Sequence, residues 1–236
     1  MEIPTVKIEL YKQSKERFAQ ELDHALRTTS VAQVSGLEQQ LVHDLYGYMQ
    51  EHIDEFNLGE GFYLGKDFYR QRFLDKESEI KPHTLRKHPY LHGLVKEVRK
   101  NISGIRNRLI NAVFLTYGQR IRKFQELKSY RQRIRKSQEL KLFRYYRNYQ
   151  KQGLFHPGGM ARKKHIDKVV LFCAPTASAP GLEGKIKGRW KALHPEPGHL
   201  LVGGGEGLES ISDGEIKPLL HRVQYPASER WALLYA

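Results

Sequence analysis

Apolar positions in the first third of the chain recur at three- and four-residue steps. Phe18, Leu22, Ala25 and Leu26 form one such set and predict an amphipathic helix starting near Ser14. Ahead of it Val6, Ile8 and Leu10 alternate, which predicts a short opening strand. Ser35-Gly36 interrupts the pattern. Leu37, Leu41, Leu45, Tyr48, Met49, Ile53 and Phe56 resume it as a second helix, with a stop at Asn57-Leu58-Gly59.

The longest stripe runs through Val98, Ile102, Ile105, Leu109, Val113, Tyr117, Ile121, Phe124, Leu127, Tyr130, Ile134, Leu142, Tyr145 and Tyr149. With Gln138 as a polar occupant it spans 51 residues in 14 steps, about 3.6 residues per step, the period of an α-helix. Gly118 divides it, so two helices are expected over 91–117 and 119–151, hinged or continuous. The string from Gln119 to Lys128 recurs from Gln132 to Lys141 with nine of ten positions identical, a local tandem duplication.

The final third changes character. Strand chemistry at 168–173, 185–193, 199–202, 216–225 and 230–235 alternates with Gly- and Pro-rich turns. Five short strands suit a small barrel or a compact antiparallel sheet, with Pro218 at an edge or a strand start. The Gly203–Gly207 run reads as a flexible turn, since no Lys-Ser/Thr follows it as in a phosphate-binding loop. The expected fold class is therefore α+β. A helical N-terminal two-thirds carries a long basic helix or helix pair, and a small β-rich, barrel-like C-terminal unit follows. The boundaries fall at 1–80, 81–167 and 168–236.

Charge sharpens that division. The 236 residues hold 40 Lys+Arg and 26 Asp+Glu, a formal net charge of +14. Residues 1–80 carry 9 basic and 15 acidic side chains, residues 81–168 carry 24 and 4, and residues 169–236 carry 7 and 7. Positive charge confined to one segment points to a polyanion partner. The expected nucleic-acid contacts are Arg99, Lys100, Arg106, Arg108, Arg120, Arg122, Lys123, Arg131, Arg133, Arg135, Lys136, Arg144, Arg147, Lys151, Arg162, Lys163 and Lys164. Tyr145, Tyr146 and Tyr149 are interleaved with them and offer rings for stacking on unpaired bases, which favours RNA over DNA. The favoured function is non-catalytic RNA binding in a ribonucleoprotein. The alternatives are a metal-dependent nuclease of a mobile element or defence system, and a subunit docking an acidic protein surface.

Candidate chemistry is sparse, and these patterns ask for no metal, no cofactor and no catalytic residue. Asp213, Glu215 and Lys217 form the best nuclease-like set. His88 and His92 have the spacing of a helical metal pair, but Pro89 stands where a zincin carries Glu. His156, His165, His194, His199 and His221 are scattered with no Cys pair beside them. The lone cysteine, Cys173, excludes an internal disulfide and reads as a core thiol. No apolar stretch approaches 18 residues and the start lacks a targeting pattern, so an intracellular, cytoplasmic protein without a membrane span is expected.

Overall fold

The computed structural model describes residues 2–52, 63–64, 68–73, 87–118, 140–147 and 160–235. Its first strand, β1 (Thr5–Val6), lies parallel to β2 (Val31–Ser35). Between them run α1 (Leu10–Gln13) and α2 (Lys15–Thr29). The Ser14 hydroxyl caps α2 by accepting the Arg17 N–H at 3.1 Å, and Ser30 closes it in the left-handed region at φ 60°. The expected second helix is α3 (Gln39–Glu51), and the first half of the long stripe is α4 (Pro89–Tyr117). Proline sits at the start of α4, where no intrahelical N–H is needed. Val98, Ile102, Ile105, Leu109, Val113 and Tyr117 are all buried, as the stripe requires.

The rest of the architecture differs from the expected α+β division. Two sheets, antiparallel apart from the β1–β2 pair, face each other as a jelly roll, a double-stranded β-helix. The larger has eight strands in the order β1-β2-β10-β7-β12-β5-β4-β3, and the smaller has four in the order β6-β11-β8-β9. The additional strands are β3 (Tyr63–Leu64), β4 (Phe68–Phe73), β5 (Leu140–Arg147), β6 (Met160–His165), β7 (Leu171–Pro175), β8 (Leu182–Ile186), β9 (Arg189–Ala192), β10 (His199–Gly204), β11 (His221–Gln224) and β12 (Arg230–Tyr235). One short helix, α5 (Glu206–Ile211), follows β10. The C-terminal strands are thus not a separate small barrel, because β1 and β2 from the N-terminus extend the same sheet.

Strand alternation creates two core layers. Cys173, Leu200, Val202, Trp231, Leu233 and Tyr235 face α2, α3 and α4. Phe172, Ala174 and Leu201 face the smaller sheet, where they meet Ile186, Leu193 and Leu219. Phe143, Tyr145 and Ala232 meet Val223 in the same inner layer.

Leu142 and Tyr145, expected on a helix, lie on β5 between β12 and β4. Leu140 and Leu142 bury on the helical side, while Phe143 and Tyr145 bury between the sheets. A run that is apolar on both faces satisfies a helical count by accident, and its aromatic content favours a strand. The remainder of the 119–151 helix and nearly all of the tandem duplication lie outside the described residues. Gly203 is strand rather than flexible turn, with the Phe172 ring 2.3 Å from where a Cβ would stand. Among the described residues no helix is long and apolar enough to cross a membrane.

Candidate metal centre and active-site cavity

His165 ends β6, Asp167 lies in the turn that follows, and His221 opens the neighbouring β11. The strand pairing sets the two histidines directly opposite each other, with ring centroids 4.2 Å apart. The Asp167 carboxylate reaches both, at 3.7 Å from His165 Nε2 and 3.6 Å from His221 Nε2. One ligand atom from each of the three lies within 4.8 Å of the others.

Their protonation suits a cation. His165 Nδ1 lies 2.9 Å from the Lys163 carbonyl and His221 Nδ1 lies 3.0 Å from the Leu219 carbonyl. A carbonyl only accepts, so each Nδ1 carries the hydrogen and each Nε2 keeps its lone pair. Burial, helped by the neighbouring His221 ring and the Arg162 cation, pushes His165 down to about 4, which keeps it neutral near pH 7. Two imidazoles and one carboxylate converging from one side leave further coordination positions free, the pattern of non-haem Fe(II) oxygenases.

The backbone of Asp167 is clamped by the start of α5. Glu206 N–H donates to the Asp167 carbonyl at 2.9 Å, and Gly205 and Gly207 N–H donate to Val170 and Val169, each at 3.1 Å. A Cβ on Gly205 would stand 2.2 Å from the Val169 carbonyl oxygen and 2.5 Å from that of Asp167. Only glycine permits this close approach.

The cluster opens into a cavity between the two sheets. Phe143, Phe172, Leu182, Leu193 and Leu201 supply apolar walls. Arg230, the first residue of β12, projects into it and is 4% exposed. Its Nε donates to the Ala179 carbonyl at 3.0 Å, and its guanidinium lies 5.2 Å from the centre of the Tyr145 ring. Among the described residues no carboxylate pairs with it, and burial lowers its pKa. A buried cation without a counter-charge is costly, so this is a ready-made seat for an anion. The donor set therefore fits a divalent metal, and Arg230 fits a carboxylate bound beside it.

Residues 138–235 match the model of the 2OG-Fe(II) oxygenase superfamily. That segment contains His165, Asp167, His221 and Arg230. Gibberellin 20 oxidase 1 of Oryza sativa subsp. japonica is 34% identical over 59 residues, which are 25% of this chain and 16% of that protein. This chain is thus matched to only a small part of that relative's length. Across the whole chain the fold resembles dioxygenase for auxin oxidation 1 from Arabidopsis thaliana in its 2-oxoglutarate complex, with TM-score 0.70 and 18% identity over 99% of this chain and 91% of the other. A full-length Neurospora crassa protein in complex with alpha-KG and 5-formyluracil gives TM-score 0.72 and 14% identity over 99% and 83%.

These findings correct the functional expectation. The match of residues 138–235 to an oxygenase family model contradicts the expectation of a non-catalytic RNA-binding component of a ribonucleoprotein. The nuclease set fares no better: Glu215 is ion-paired with Arg27, and Lys217 holds Glu209 at 3.1 Å.

The cations assigned to nucleic acid are dispersed. Arg99, Lys100, Arg106 and Arg108 lie on α4, where Arg106 is only 1% exposed. Arg144 and Tyr145 lie on β5, with Arg144 paired to Glu229 at 2.7 Å and Tyr145 beneath Arg230. Tyr146 and Arg147 complete that strand. Arg162, Lys163 and Lys164 lie on β6, where both lysines are exposed and Arg162 lines the cavity. Arg120, Arg122, Lys123, Arg131, Arg133, Arg135, Lys136, Tyr149 and Lys151 lie outside the described residues.

Sequence reasoning missed all four residues of the centre. The available signal was His165-Ile166-Asp167 followed by His221 and then Arg230 on strand-like segments. Ligands assembled from strand ends obey no fixed spacing, and the histidines were weighed only by helical spacing and by neighbouring cysteines.

Proposed function

We propose that the chain is a 2-oxoglutarate-dependent Fe(II) oxygenase acting on a small organic substrate. The observation that carries this reading is the three-ligand cluster of His165, Asp167 and His221 sharing one cavity with the buried, carboxylate-free Arg230. His165 and His221 offer Nε2 lone pairs, and Asp167 supplies the negative charge that retains a divalent ion. Iron(II) held there supplies the redox chemistry with O2. Arg230 anchors the distal carboxylate of 2-oxoglutarate by a charge-assisted fork that no protein acid occupies. The walls from Phe143, Phe172 and Leu201 exclude water, which strengthens both electrostatic contacts.

The test is metal stoichiometry together with 2-oxoglutarate consumption. The wild type is expected to bind one Fe(II) per chain and to convert 2-oxoglutarate and O2 to succinate and CO2, with the second oxygen atom of O2 transferred to the organic substrate. Asp167→Ala and His221→Ala are expected to lose both properties. Stoichiometric iron binding that survives both substitutions would sink the assignment of the ligands.

A further inference from the structure

The pairing of β6 with β11 is irregular in a way that places one more cation in the cavity. His221 is opposite His165, Val223 is opposite Arg162, and Gln224 is opposite Met160. Two steps along β11 therefore match three along β6, so β6 carries a bulge between Arg162 and His165. Residues three apart on a regular strand point to opposite faces. The extra residue restores them to the same face, and Arg162 enters the cavity with His165 while Lys163 and Lys164 remain exposed. Among the described residues Arg162 has no ion-pair or hydrogen-bonding partner, although Glu183 on the neighbouring β8 is engaged by Arg222 at 2.6 Å.

Charge balance gives that guanidinium a task. Among the described residues Asp167 is the only acidic residue lining the cavity, and Arg162 and Arg230 are the two arginines. A divalent ion, Asp167, Arg230 and a dianionic co-substrate sum to neutrality. Arg162 is then left as one uncompensated positive charge in a cavity whose remaining walls are mainly apolar, with Phe143, Phe172, Leu182 and Leu193 beside Tyr145 and His194. We infer that the substrate is an organic monoanion, a carboxylate on an apolar body, and that Arg162 binds its charge. This inference rests on the proposed oxygenase reading, which supplies the metal and the dianion. Arg162, half-buried, acts here as a substrate-binding residue and determines specificity because its guanidinium keeps no counter-charge when a neutral substrate enters.

The experiment uses the full chain loaded with Mn(II) and 2-oxoglutarate, so that no turnover occurs. Calorimetry first measures 2-oxoglutarate binding to the wild type and to Arg162→Gln. Ligand-observed NMR then measures phenylacetate against phenylacetamide and hexanoate against hexanamide. Both proteins are expected to bind 2-oxoglutarate with the same affinity. The wild type is expected to favour each acid over its amide by roughly 10- to 100-fold, the range that a charge-assisted hydrogen bond commands. Arg162→Gln should abolish that preference and Arg162→Lys should retain part of it. If the wild type binds 2-oxoglutarate but treats acids and amides alike, or binds neither, the inference is overturned. It is equally overturned if Arg162→Gln loses 2-oxoglutarate, because Arg162 would then serve the co-substrate. Failure of the wild type to bind Mn(II) and 2-oxoglutarate at all would remove the oxygenase reading itself.

Discussion

Replacing Arg230 with methionine should move stability and ligand binding in opposite directions. In the ligand-free protein Arg230 is 4% exposed, donates to the Ala179 carbonyl, lies against Tyr145, and meets no carboxylate among the described residues. An apolar side chain of similar length removes an uncompensated buried charge, and such replacements are neutral or stabilising by about 1–4 kcal/mol. The lost hydrogen bond offsets about 1 kcal/mol of that. A net gain of about 1 kcal/mol raises the melting temperature by about 2–4 °C in a chain of this size. With 2-oxoglutarate the order reverses. Truncating one partner of a buried charged pair costs about 2–5 kcal/mol, a loss of roughly 30- to 3000-fold in affinity. At a ligand concentration 100 times its Kd the metal-loaded wild type gains about 2.7 kcal/mol, or about 5–11 °C, and Arg230→Met gains nothing. Differential scanning fluorimetry with and without 2-oxoglutarate reads both effects. A variant that binds 2-oxoglutarate within about threefold of wild type would refute the anchoring role. A ligand-free variant that melts well below the wild type would refute the account of Arg230 as a costly buried cation.

Three further perturbations probe the frame around the centre. Gly205→Ala forces a methyl group against the Val169 and Asp167 carbonyls, so Mn(II) affinity measured by EPR titration should fall by about tenfold or more and stability by about 1–3 kcal/mol; unchanged metal affinity would show that the clamp does not position Asp167. Arg106 is 1% exposed with all three guanidinium nitrogens lacking hydrogen-bond partners, so Arg106→Met should raise the melting temperature by about 2–4 °C, and a lower value would show that its contact with the Tyr235 ring outweighs desolvation. Burial pushes the Cys173 thiol up to about 12; the folded chain keeps this proton above pH 9 while the unfolded chain loses it, so the group costs stability as pH rises from 9 towards 12. The thiol should resist a disulfide reagent at pH 8 until the protein is unfolded, and stoichiometric labelling of the folded chain would contradict its burial.

The parts of the fold legible in the sequence are those where one face decides the structure. The α4 stripe from Val98 to Tyr117 is a half-buried helix, and its period is visible because its other face is polar. The strands of the final third stood out only in part through their turns: the expected strand over 185–193 runs across Lys187 and Gly188, both at positive φ, which join β8 to β9 in a tight hairpin. β5 was misread because a strand buried on both faces carries no alternation, and Leu140, Leu142, Phe143 and Tyr145 are all buried. β2 was missed for the same reason, with Val31, Ala32, Gln33 and Val34 all buried.

The centre was illegible for a different reason, which bears on how it was assembled. Charge drew attention to Arg162 as one member of a basic run, whereas its role follows from a bulge, and a bulge is a property of pairing between β6 and β11. The same pairing sets His165 opposite His221, and neither residue carries any local mark of its partner 56 positions away. Arg230 adds the third element from the opposite sheet, nine residues beyond His221. A single sequence records the chemistry of each group but not the register that unites them. Moving β6 by one residue against β11 would turn His165 out of the cavity and separate it from Asp167 and His221 together. The bulge therefore serves both proposed roles at once: it holds the proposed metal ligand His165 inward at one end and brings Arg162 to the same space from the other.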